Sequence, residues 1–247
     1  MDRTRAPATR TRYRAPLVGF APADDPRFDE LCALVPDHLH PRELLPDARV
    51  VCAFYLPFSS HTVTANACEE RVSEHWARAY VETNALLSEL CITLVAELER
   101  IGIPAAWAPP THNFDPVRLV SAWSHKSIGV ICGLGQLGHH HMLITESGCA
   151  GRLGSIVLGT GTKLPPRRNA DGSFCAFDRG CRVCIQRCPV GALTESGLDR
   201  SRCYARCLEN DARFPQWTAD VCGRCATGPC ALQPMHHSKS SGEIPVV

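Results

Sequence analysis

The sequence contains no uninterrupted apolar run near the ~20 residues that a membrane-spanning helix needs, so no membrane partner is expected. It opens without the apolar segment of a secretory leader. No adjacent arginine pair precedes an apolar stretch, as twin-arginine export would require. An excess of either charge is also missing: 26 Lys and Arg stand against 25 Asp and Glu, for a formal net charge of +1. That balance gives no global pull toward nucleic acid or an anionic surface. A cytoplasmic protein is the expectation.

What the chain has is cysteine, 15 in 247 residues. An odd number in a chain expected inside the cell argues against a disulfide scaffold and for metal ligation. Nine of them lie between residues 175 and 230. They form Cys175-x5-Cys181-x2-Cys184-x3-Cys188-Pro189, then Cys203, Cys207 and Cys222-x2-Cys225-x4-Cys230. Two thiolates at Cys-x2-Cys spacing, with the amides between them, can face one inorganic core. In the bacterial ferredoxin run the fourth cysteine, before proline, serves the other cluster. Read that way, one cluster takes Cys175, Cys181, Cys184 and Cys230. The other takes Cys188, Cys203, Cys222 and Cys225, with Cys207 left over or exchangeable with Cys203. The first gap is five residues where the ferredoxin run has two. A four-thiolate zinc site from Cys181, Cys184, Cys222 and Cys225 is the alternative. It leaves five clustered cysteines and the Cys-Pro pair without a role.

The rest of the chain divides by composition. Residues 1–15 hold five arginines against one acid and read as a basic flexible arm. The apolar run 49–56 predicts a buried strand, with Cys52 in the core. Apolar residues at three- and four-residue steps predict a long helix over 73–101, ended by Gly102 and Pro104, with Cys91 packed on it. A strand is expected at 103–107. A second helix is expected over 115–128, opened by Asp115-Pro116. Strands follow at 142–145 and 154–158, then a polar linker at 163–172. The domains so drawn are 16–165 for the α/β part, 173–232 for the cysteine module and 233–247 for a flexible tail, with His236 and His237 exposed in it.

Between the second helix and the strands lies Gly133-x-Gly135-x-x-Gly138. It spells the dinucleotide fingerprint, but the segment after it (His139-His140-His141-Met142) lacks the periodicity of the helix that fingerprint must open. The reading preferred is a backbone loop that glycine allows to approach a large planar cofactor closely; a tight turn without a ligand is the other. Neighbours in a strand point to opposite faces, so at most two of His139, His140 and His141 could share a site. A partly exposed turn is expected for them.

The stretch from Cys181 to Leu193 resembles the double-cluster domain of epoxyqueuosine reductases and related corrinoid iron–sulfur enzymes such as reductive dehalogenases. The segment from Ser124-His125-Lys126-Ser127 through Cys132-Gly133-Leu134-Gly135-Gln136-Leu137-Gly138 to Leu143-Ile144-Thr145 resembles the same enzymes, and 152–158 continues the match. The likeness covers about residues 115–232. It implies an α+β fold: a nitroreductase-like α/β sandwich domain followed by a small ferredoxin-like module with two [4Fe-4S] clusters. It further implies cobalamin as a cofactor, with His125, Gly133, Gly135 and Gly138 at its pocket. An electron donor such as ferredoxin or flavodoxin is implied, and tRNA as a partner.

Those enzymes carry an aspartate general acid where this chain reads Arg118-Leu119-Val120-Ser121, and a C-terminal helical-repeat domain beyond the clusters. The expectation is therefore a short form with no assigned catalytic residue. Two readings stay open: a reductase passing electrons through both clusters to a cofactor or substrate, and a ferredoxin-type carrier that docks a partner without catalysis of its own.

Overall fold

The computed structural model describes residues 9–69, 71–161 and 173–235. β1 (Leu17–Pro22) leads to α1 (Pro26–Leu34) and the single turn α2 (Pro41–Leu44). β2 (Val50–Pro57), α3 (Ser60–Cys68), α4 (Glu74–Arg100) and β3 (Ala105–Trp107) follow. The short pair β4 (Phe114–Asp115) and β5 (Val120–Ser121) precedes α5 (His125–Ile131), and β6 (Gly135–Leu137) pairs with β7 (Leu143–Thr145). β8 (Gly151–Leu158) closes the α/β part. The cysteine-rich part holds the one-turn α6 (Val183–Gln186), the pair β9 (Leu193–Thr194) and β10 (Gly197–Leu198), and α7 (Arg200–Asp211).

The apolar run of β2 becomes a central strand because both its faces are covered. The main sheet runs β1-β2-β8-β3, antiparallel throughout, with Val50 opposite Leu158 and Pro57 opposite Gly151. On one face Val51, Ala53, Tyr55, Leu153 and Val157 pack with Phe28, Trp123 and Ile128. On the other, Cys52, Phe54 and Ile156 pack with Leu87 and Cys91 of α4. Cys52 and Cys91 are thus the core residues expected of them, and burial pushes both thiols up to about 12.

Ser73 caps α4, its Oγ accepting from the N–H of Trp76 at 3.1 Å. By length and composition α4 could cross a membrane. Here it lies along the sheet, with Ala77, Tyr80, Thr83, Leu87 and Cys91 inward at steps of three and four. Leu94, counted in the apolar stripe from sequence, is exposed.

A third apolar cluster joins the two parts of the chain. Phe58, Trp76 and Cys149 pack with Phe174, Phe214, Trp217, Ala226 and Ala231 of the cysteine-rich part. The N–H groups of Cys149 and Ala150 donate to the carbonyls of Cys230 and Ala231 at 2.9 and 3.0 Å.

Three expectations change. The helix expected over 115–128 starts ten residues late, at His125, and runs to Ile131. Asp115 Oδ1 does accept from the N–H of Val117 and Arg118, at 2.7 and 2.9 Å, as a cap would. Leu119 then takes φ 54°, which turns the chain back so that β5 pairs with β4. The helix begins only at His125, capped by Ser124.

The arm is the second. Residues 1–8 and 163–172, and His236 and His237, lie outside the described residues, but residues 10–14 are fastened. Glu82 Oε2 accepts from the N–H of Arg10 and of Thr11 and from the Thr11 hydroxyl, at 3.0, 2.7 and 2.5 Å. Arg14 donates to the carbonyls of Phe58, Ser147 and Leu232. A carboxylate buried within α4 needs such partners.

The glycine segment is the third. It opens no helix: Gly133 follows α5 with φ 79°, and β6 comes next. A Cβ at Gly135 would stand 2.0 Å from the Ile144 carbonyl oxygen, and one at Gly138 would stand 2.7 Å from Ile144 Cδ1 and 2.8 Å from His140 Cε1. These glycines admit the chain's own atoms, so the expected approach to a planar cofactor is not what requires them. Gly135→Ala is therefore expected to destabilise the fold by about 1–3 kcal/mol, the usual cost of overpacking, in urea denaturation. An unchanged midpoint would contradict this account.

Candidate functional site

The cysteine-rich part folds so that thiols from distant positions converge. Cys175, Cys181, Cys184 and Cys230 line one small cavity, with His140 and Phe177. Cys188, Cys203, Cys222 and Cys225 line a second cavity of about 310 Å³, together with Cys207 and Cys149. The sets assigned from spacing thus lie around separate spaces. Ala192 N–H donates to Cys188 Sγ at 3.2 Å.

Burial raises Cys184 to about 11 and pushes Cys222 and Cys225 up as well. Thiols in such surroundings become thiolates when a metal centre supplies positive charge. Around the second cavity the buried Nε atoms of Arg206 and Arg224 have no partner among the described residues. Arg206 acts electrostatically on Cys222, and Lys126 on Cys225 and Cys203. Cationic groups with unfilled donors are what a cluster carrying net negative charge through four thiolates would satisfy. The donor set, its surroundings and its spacing fit an iron–sulfur cluster in each cavity.

Two residues without a sequence motif complete the first cavity. His140 Nε2 is 3.3 Å from Cys230 Sγ, and Cys149 Sγ is 3.8 Å from it. His140 Nδ1 accepts from Met142 N–H at 3.1 Å, so the ring proton sits on Nε2 and points at the sulfur. His140 and Cys149 therefore act on Cys230 as hydrogen-bond donors rather than as fellow metal ligands. With the Cys149 S–H bond as the larger cause and His140 assisting, Cys230 is drawn down to about 5, a thiolate at neutral pH.

The partly exposed turn expected of the three histidines holds for His139 and His141 but not for His140. His140 is 4 % exposed. His139 stacks on Phe177 at 3.6 Å and donates from Nε2 to the Thr194 carbonyl at 2.7 Å.

Between α5 and α7 opens a cleft of about 430 Å³. Ser121, Ser124, Lys126 and Ser127 line one side; Arg200, Cys203, Tyr204 and Cys207 line the other. Cys203, Cys207, Lys126 and His141 line both this cleft and the second thiol cavity. Lys126 Nζ donates to the His141 carbonyl at 2.9 Å, and burial lowers its pKa. No carboxylate is among the residues lining the cleft.

His125, expected at a cofactor pocket, is a core residue instead. Its Nε2–H donates to the Pro109 carbonyl at 3.0 Å, and its Nδ1 accepts from Ser155 Oγ at 2.9 Å. Ser155 Oγ in turn accepts from Trp123 Nε1–H at 2.9 Å. Both ring nitrogens are occupied by the protein. His38 is held likewise, donating from Nδ1 to the Leu39 carbonyl and accepting at Nε2 from Ser124 N–H.

Sequence reasoning passed over Cys149, Lys126, Tyr80, Arg152 and Asp220. Arg152 alone left a usable signal, a charge inside an otherwise apolar strand. Tyr80 is indistinguishable from the helix stripe, and Cys149 belongs to no spacing motif.

No family profile and no curated protein matches the chain. Solved structures do. An epoxyqueuosine reductase from Streptococcus thermophilus superposes with a TM-score of 0.55 at 14% identity, over 89% of this chain and 64% of that one. An epoxyqueuosine reductase with an epoxyqueuosine-modified tRNA stem loop gives 0.56 at 17%, over 89% and 63%. A catabolic reductive dehalogenase in complex with 3-bromo-4-hydroxybenzoic acid gives 0.57 at 18%, over 85% and 28%. The chain has the mixed helix-and-sheet fold shared by these two groups of reductases. Within it, this chain spans less than two thirds of the length of the epoxyqueuosine reductases it matches.

Proposed function

We propose that the chain is a cytoplasmic iron–sulfur reductase whose two [4Fe-4S] clusters carry electrons to a ligand in the cleft. The observation that carries this reading is Cys203, which belongs to the second thiol set and also lines the cleft. Electrons from a ferredoxin or flavodoxin would enter at the Cys175, Cys181, Cys184 and Cys230 set. They would pass to the Cys188, Cys203, Cys222 and Cys225 set and leave at the cleft wall. The protein's part is to hold the clusters, exclude water from their sulfurs and place the ligand. Lys126 is the half-buried amine at the junction of cleft and cavity.

Iron and acid-labile sulfide analysis of anaerobically purified protein tests the reading. About eight of each per chain are expected for two cubane clusters. Stoichiometric zinc without sulfide would remove it.

A second reading places a corrinoid in the cleft, because one of the similar dehalogenases is described in terms of B12-dependent dehalogenation. The open cleft of about 430 Å³ is of the size that takes a small molecule, and no step is assigned to a corrinoid. Co-elution of hydroxocobalamin with the protein and a changed corrinoid spectrum would favour this reading. Because one similar reductase was solved with a tRNA stem loop, salt-dependent tRNA binding is the matching test for a nucleic-acid substrate.

A further inference from the structure

The second thiol cavity has a part that the cluster does not account for. Trp76, Tyr80, Met142, Gly151 and Arg152 line it there. The Arg152 guanidinium lies 4.5 Å over the Tyr80 ring. Among the described residues its one hydrogen bond is long, Nη2 to the Pro110 carbonyl at 3.5 Å. Its Nε is buried without a hydrogen-bond partner, and no carboxylate lies within ion-pair distance among the described residues. The nearest acid, Asp220, is engaged elsewhere: Tyr80 Oη–H donates to its Oδ1 at 2.7 Å, and His112 Nε2 stands 3.2 Å from both oxygens.

Arg152 differs here from Lys126 and Arg206. Those two act on cluster thiols, whereas the groups acting on Arg152 are Tyr80 and Asp220. A charge withdrawn from water without an ion pair costs several kcal/mol. A guanidinium presents its donors as a planar fork matched to an oxyanion. The neighbouring walls are apolar: Phe58, Trp76, Met142 and Leu193. Asp220 lines the same cavity, but its oxygens are taken by Tyr80 and His112; an apolar wall beside an unpaired guanidinium suits an organic body with an anionic head, rather than a bare inorganic ion.

We propose that Arg152 and the Tyr80–Trp76 wall form a binding site for a small organic anion bearing a carboxylate or similar oxyanion. That this anion is the molecule reduced rests on the function proposed above. The site itself rests on the Arg152 geometry.

Calorimetric titration of the anaerobically purified protein tests it, with benzoate, benzamide and inorganic phosphate as probes. Benzoate is expected to bind at least tenfold more tightly than benzamide, its neutral isostere, and than phosphate, which lacks the apolar body. Arg152→Gln is expected to weaken benzoate at least tenfold, with Arg152→Lys between the two. If Arg152→Gln fails to fold, the benzoate-to-benzamide ratio in the unaltered protein still decides. Equal binding of benzoate and benzamide, or no binding of benzoate, overturns the site. Iron and sulfide are measured on the same samples. Benzoate bound by protein that lacks clusters would sustain the anion site and remove the cluster reading. Clusters without benzoate binding would do the reverse.

Discussion

Alanine in place of Cys203 is expected to remove about half of the bound iron, the share of one cubane cluster of two. Alanine in place of Cys207 is expected to leave it in place. The two thiols sit one turn apart on α7, at i and i+4, and both line the second cavity and the cleft. Sequence spacing alone leaves them exchangeable. The thiol–thiol hydrogen bond separates them. Cys207 donates its S–H to Cys203, and that bond, with Lys126 nearby, brings Cys203 down to about 7. The same bond and burial push Cys207 up. Cys203 is the sulfur ready to be a thiolate, and Cys207 is its donor. Losing the donor should lower the cluster's potential without losing the cluster, because hydrogen bonds to ligand sulfurs favour the more electron-rich reduced state. Iron and sulfide content with redox titration by electron paramagnetic resonance reads both effects. Equal iron loss in the two variants would show that α7 supplies the sulfur differently.

Stability is expected to fall by about 3 kcal/mol as pH is lowered from 7 toward 4, through protonation of His125. Burial lowers this imidazole to about 4, against about 6.5 in an unfolded chain. Between those values the unfolded state binds the extra proton and the folded state does not. The stabilisation is therefore complete above about 6.5 and is lost as pH falls through the window. The hydrogen bonds give the physical reason. A proton on Nδ1 would face Ser155 Oγ, whose own hydrogen points at that nitrogen while it accepts from Trp123. His38, also lowered by burial, acts in the same direction. His112 acts in the opposite one, since its hydrogen bond to Asp220 raises it, but it is half exposed and its contribution is screened. Urea denaturation at pH 7 and pH 5, repeated with His125→Gln, measures this. An equally steep loss in the variant would place the titrating group elsewhere.

The local elements were legible where one local rule decided them. The β2 run announced a strand covered on both faces, and the 73–101 periodicity announced α4, its Ser73 cap and its end near Gly102. The cysteine spacing divided eight thiols into the two sets that line the two cavities, because Cys-x2-Cys and Cys-Pro are short-range constraints on where sulfurs can point. The 115–128 segment failed for the complementary reason. Asp115-Pro116 is a valid helix opening, and only the pairing of β5 with β4, with Leu119 at positive φ, shows that the turn goes no further. The arm failed because composition describes residues 10–14 as solvated, whereas Glu82, about seventy positions away, holds them.

The sequence by itself determined the chemistry available, thiolates in numbers and spacing suited to iron–sulfur clusters, and the principal strands and long helix that carry them. Tertiary structure alone decided which groups surround those thiols. It brought Cys149 and His140 to Cys230, moved His125 from an expected cofactor pocket into the core, and left Arg152 facing a cavity with no carboxylate within ion-pair distance among the described residues. Spacing rules act over a few residues, whereas these contacts join positions separated by tens of residues, and burial sets their energies only once the whole chain has closed around them.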